Sequence, residues 1–69
     1  MGELPGPTRD QRLFLKMLAR ADFDLVCQAF EAKESGLGVR IAFHCTLNGW
    51  VDRGELTEAG KTIVREGMS

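Results

Sequence analysis

Arg40, His44 and Asn48 recur at intervals of four residues, and Arg53 follows a short way downstream. These types carry directional hydrogen-bonding groups. An arginine guanidinium can donate two parallel hydrogen bonds to the edge of guanine, and an asparagine amide can pair with adenine in the same two-point way. An arginine held in a turn is placed to meet a phosphate, which fixes position without reading sequence. Residues at i, i+4 and i+8 lie on one face only if the chain coils as a helix. The same residues also suit a plain solvated helix face and an idle turn arginine, since polar side chains are mostly exposed in any fold.

Other reactive types lead nowhere in particular. His44, Cys45 and Cys27 are metal-ligating residues, but a structural zinc site takes four ligands at recognisable spacing, and no fourth ligand or paired motif is present. Asp52, Glu55 and Glu58 cluster around a turn, where no burial tunes a carboxylate for acid–base work. Ser35 and Ser69 have no partner base in view. The sequence therefore predicts no enzyme, no metal and no cofactor. Cys27 and Cys45 sit among apolar neighbours and read as buried free thiols rather than a bridge.

Those residues must be held by one small domain. The chain has 69 residues, and a chain of this size hides only about 60% of the surface its unfolded form exposes. With 43% hydrophobic and 28% charged residues it has the composition of a folding globule rather than a disordered segment. No apolar run suits a membrane span, and the opening MGELPGPTRD lacks the pattern of a secretory signal, so a cytoplasmic protein with no membrane contact is expected. The net charge of −1 conceals a segregation. Residues 8–20 carry Arg9, Arg12, Lys16 and Arg20 against Asp10, whereas residues 21–35 carry Asp22, Asp24, Glu31 and Glu34 against Lys33.

Residues 1–7, with Gly2, Pro5, Gly6 and Pro7, read as a flexible tail ahead of a domain spanning 8–67. Thr8 and Gln11 have the spacing of a capping box opening a first helix, with Leu13, Phe14, Met17, Leu18 and Ala21 on one stripe. Phe23, Val26, Cys27 and Phe30 form a second stripe, about half a turn out of phase with the first on a continuous helix. A break near Ala21-Asp22, with Asp22 or Asp24 as the new N-cap, brings both stripes to one core. The second helix then runs to about Lys33. Thr57 is placed to cap a last helix that Gly67 would stop.

The segment 39–48, VRIAFHCTLN, decides the fold. With period two it alternates almost perfectly, and Asn48-Gly49 is a strong hairpin signal, giving an α+β alternative (α-α-β-β-α) with a long hairpin. That register would oppose Asp52 to Cys45 and Gly54 to Phe43, on the apolar face. With period 3.6 the segment becomes a third helix that buries Val39, Ala42, Phe43, Thr46 and Leu47 and turns Arg40, His44 and Asn48 outward, with Asn48-Gly49 as its left-handed stop. Trp50-Val51-Asp52 and Glu55-Leu56-Thr57 are then a very short hairpin about Arg53-Gly54.

The run LNGWVDRGELTEAG, residues 47–60, resembles the back half of winged helix-turn-helix domains: a helix ending in leucine, a glycine, an apolar pair, a small wing, and an LTxxG that opens the closing helix. The likeness covers about residues 36–66. It implies a mainly α fold with a short β-hairpin, ordered α-α-α-β-β-α. The third helix would then enter the major groove of double-stranded DNA, reading bases through Arg40, His44 and Asn48, while Arg53 in the wing meets phosphate. The resemblance also gives Gly60 a reason, because a glycine inside a helix costs about 1 kcal/mol unless close packing requires it. The function this implies is a small DNA-binding regulator, and a homodimer is expected because one reader with so few charges binds weakly. The rival expectation is a protein-interaction module, favoured by the opposed charge of the first two helices.

Overall fold

A computed structural model describes residues 6–67, so all but the end of the expected N-terminal tail, and Ser69, lie outside the described residues. The order is α1 (Arg9–Leu18), α2 (Phe23–Glu31), α3 (Leu37–Leu47), β1 (Val51–Asp52), β2 (Glu55–Leu56) and α4 (Glu58–Gly67). The fold is mainly helical with one short antiparallel hairpin, in the expected α-α-α-β-β-α order. The long Asn-Gly hairpin is overturned, because residues 39–47 are helical and Asn48 caps that helix.

Helix α1 begins where the sequence places it. The Thr8 hydroxyl accepts from the Gln11 amide at 3.1 Å, and the Gln11 side chain accepts from the Thr8 amide at 3.0 Å, so two otherwise orphaned donors are satisfied. Its buried face is Phe14, Leu15 and Leu18. The expected stripe was rotated from this: Leu13 is 38% exposed and Ala21 is exposed, while Leu15 is fully enclosed. The reason is that α1 packs against all three other helices and β2, which places the buried arc on Leu15 rather than Leu13.

The chain breaks at Ala19–Asp22, as the phase argument requires. Asp22 is extended and occupies the N-cap position of α2, although its side chain makes no capping hydrogen bond. The break lets Val26 and Phe30 enter the same core as Phe14, whose ring lies 6.1 Å from Phe23 at an interplanar angle of 77° and 5.7 Å from Phe30. The edge-on contact with Phe23 is of a kind that adds about 0.5–1.5 kcal/mol beyond area burial. Helix α2 stops at Glu31, two residues before the expected Lys33. The Lys33 amide donates to the Phe30 carbonyl at 3.0 Å, tightening the chain into a turn that ends at Gly36, with φ of +85°.

The buried face of α3 also departs from expectation. Gly38, Ile41, Ala42 and Cys45 face the core, whereas Val39, Phe43 and Leu47 are 66%, 59% and 67% exposed and Thr46 is exposed. The cause is a backbone approach: a Cβ on Gly38 would lie 2.3 Å from the Cys27 carbonyl oxygen. Only a glycine permits α2 and α3 to cross this closely. That crossing fixes the rotation of α3 with its smallest residues inward and several of its largest outward.

Helix α3 ends in a Schellman motif. The Gly49 amide donates to the Thr46 carbonyl and the Trp50 amide to the Cys45 carbonyl, each at 3.0 Å, with Gly49 in the left-handed region. Asn48 itself stays right-handed. Val51 then pairs with Leu56 and Asp52 with Glu55. Arg53 and Gly54 both have positive φ, +54° and +81°, the pattern of a two-residue type I′ turn. Thr57 caps α4 through its hydroxyl, which accepts from the Gly60 amide at 3.1 Å and donates to the Gly49 carbonyl at 2.6 Å. A Cβ on Gly60 would lie 2.2 Å from the Trp50 carbonyl oxygen, so this glycine marks a close approach as the resemblance implies. Gly67 is the last residue of α4 rather than the residue after it.

Candidate interaction surface on the third helix

The four residues singled out by type are all exposed, and the fold separates them. Arg40 and His44 stand a turn apart on α3, as i, i+4 spacing dictates. The Asn48 amide nitrogen donates to the His44 carbonyl at 2.8 Å, so that side chain is engaged in closing its own helix. Arg53 lies elsewhere. It lines an open depression with Leu18, Asp22, Asp24, Glu55 and Lys61, to which no residue of α3 contributes. Gly54 approaches Phe23, where an added Cβ would lie 3.3 Å from the ring, so the hairpin tip sits on the start of α2. Three carboxylates and two cations, Arg53 and Lys61, therefore line this depression.

Beside Arg40 and His44 runs an apolar ridge. Val39, Phe43 and Leu47 follow each other at four-residue spacing and are each more than half exposed. Next to the ridge, Phe23 and Cys27 of α2 and Val39, Ala42, Phe43 and Thr46 of α3 line an apolar groove of about 310 Å³. Thr46 adds little polarity, because its hydroxyl donates to the Ala42 carbonyl at 2.9 Å. The Cys27 thiol is also kept neutral: partial burial raises its pKa, and the charges of Asp24 and Glu31 raise it further. Cys45 is fully buried behind the groove, and burial pushes its thiol up to about 11. Both cysteines are free.

The position of α3 depends on a residue that sequence reasoning did not single out. Gly36 stands at the N-cap and has no side chain to accept from the first turn. Glu31, at the end of α2, supplies the acceptor. One carboxylate oxygen accepts from the Gly36 amide at 2.8 Å and the other from the Val39 amide at 3.1 Å. These bonds, from Gly36 first and Val39 second, hold the Glu31 carboxyl below its ordinary value. The charge also complements the positive end of the α3 dipole. A signal for this was available: a glycine where an N-cap is needed calls for an acceptor nearby in sequence.

The basic residues Arg9, Arg12 and Lys16 of α1 and Arg20 in the turn after it are all exposed. No group of three His, Cys, Asp or Glu among the described residues is arranged to hold a metal ion. No helix among them is long and apolar enough to cross a membrane. Comparison with known proteins finds no relative: no family model, no curated protein and no solved structure matches the chain.

Proposed function

We propose that this chain is a protein-interaction domain that works through the outward face of α3, and that a second copy of the chain is its partner. The observation that supports this is the ridge of Val39, Phe43 and Leu47 at the centre of that face. Three large apolar side chains standing together in water mark an association surface, whereas single exposed ones need no explanation. A symmetric contact requires a patch that complements itself. Here the ridge lies beside an apolar groove, so each copy can set its ridge against the other's groove. Arg40 and His44 border the patch as a polar rim, the usual surround of such a core. The net charge of −1 leaves little overall repulsion between copies.

Light scattering over a concentration series tests the proposal. The wild-type chain is expected to pass from monomer to dimer, and Phe43→Glu to remain monomeric with an unchanged circular dichroism spectrum. A wild-type chain that stays monomeric throughout overturns the reading.

A second reading is favoured by the joint exposure of Arg40 and His44 on a helix that precedes a hairpin, the order of winged helix-turn-helix domains. In it, α3 enters double-stranded DNA, Arg40 reads a guanine, Phe43 meets a thymine methyl group, and Arg53 contacts phosphate. Duplex binding with a log–log salt slope near about −3, lost on Arg40→Ala, would establish this reading instead.

A further inference from the structure

A second surface, which shares no lining residue with the α3 groove, is built from α1, the turn after it and α4. Leu13, Met17 and Val64 floor a groove of about 440 Å³, bordered by Lys16 of α1 and by Arg20 in the turn that follows it. Arg9 and Arg12 extend this basic bank toward the start of α1, since residues 9, 12 and 16 fall within about 60° of arc on a helix. None of these four cations takes part in a salt bridge among the described residues, where the one such pair joins Lys61 to Glu58. Leu13 is 38% exposed, so the apolar floor is accessible as well as the charge.

We propose that the α1–α4 groove binds an acidic amphipathic helix from a partner protein. Apolar side chains at i, i+3 or i+4 on such a helix would seat on Leu13, Met17 and Val64, and carboxylates on its flank would pair with Lys16 and Arg20. This is the helix-in-groove mode of recognition, with charge selecting the partner and setting its direction. An anionic membrane fits less well. The chain carries a net charge of −1, and residues 21–35 are as acidic as residues 8–20 are basic, so a charged plane gains little from the whole molecule. This site is separate from the α3 surface and does not depend on it.

The test uses the full chain and a labelled peptide of about 18 residues, long enough for five helical turns, with leucines on one face and glutamates on the other. Fluorescence anisotropy should show saturable binding. A peptide with lysines in place of the glutamates should bind at least about tenfold more weakly, and the Lys16→Glu/Arg20→Glu variant should lose at least about tenfold in affinity for the acidic peptide. Both positions are exposed, so circular dichroism should report an intact fold. Phe43→Glu should leave the acidic peptide's affinity unchanged, which separates this site from the α3 surface. Equal binding of both peptides, no effect of the charge reversal, or capture by phosphatidylserine vesicles with no response to the acidic peptide would each overturn the proposal.

Discussion

Glu31 is the residue on which the placement of the α3 surface depends. Its carboxylate takes hydrogen bonds from Gly36 and Val39, and its pKa falls below the ordinary 4.5 in the folded chain. A carboxyl with a depressed folded pKa favours the fold in its charged form. Its contribution is therefore complete above the unfolded value and is lost as pH falls through the folded one. Thermal unfolding followed between pH 7 and 3 should show stability declining in acid, with Glu31→Gln less stable at pH 7 and flatter across that range. Arg53 is the opposite case, a residue the backbone does not want. It holds φ of +54° in a turn that favours asparagine or glycine. Arg53→Asn should raise stability by about 0.5–1 kcal/mol in urea titration, because the left-handed region disfavours a side chain branching into the following carbonyl. A residue kept against its conformational preference is consistent with a surface role, which the second reading would give it.

Among the elements, α3 shows most clearly what the sequence could and could not disclose. Caps and breaks were legible because each rests on a local chemical need: Thr8 with Gln11, the phase shift at Ala21-Asp22, Gly49 after α3, and Thr57 before α4. The rotation of α3 was not. Apolar residues occur on almost every side of it, so periodicity alone favours the face with the largest ones, Val39, Phe43 and Leu47. Their exposure follows from the crossing with α2, which selects Gly38 and Ala42 for their small size. The spacing of those two small residues by four was the available clue. Gly38→Ala tests this directly: a Cβ 2.3 Å from the Cys27 carbonyl oxygen must push the helices apart. The expected cost is about 1–3 kcal/mol or more in denaturant unfolding, although alanine is the better helix former. An unchanged or raised stability would mean that the crossing does not set the phase. The same reasoning explains α1, where Leu15 replaces Leu13 in the core because neighbours cover more than one side.

For the molecule as a whole, apolar side chains line two grooves with different borders. The basic bank of α1 borders one groove, and the apolar ridge of α3 borders another. A single core formed around Phe14, Leu15, Val26, Phe30, Cys45 and Val51 holds both. Of the residues proposed from sequence to read DNA, Arg40 and His44 keep a shared outward ridge, Asn48 is bonded to its own helix, and Arg53 lines a separate depression to which α3 does not contribute. That distribution shifts the weight from polar recognition to apolar docking on α3. It is also why fold order could be read from the chain while the chemistry of its surface could not: order follows from local signals, but the outward face depends on a single helix crossing.

Self-association through α3 can be read residue by residue from backbone amide chemical shifts recorded as the protein concentration is raised. Concentration-dependent shifts should concentrate at Val39, Phe43 and Leu47 and at Phe23 and Cys27 across the groove, all of them absent in Phe43→Glu. Shifts confined to other faces, or none at any concentration, would contradict it.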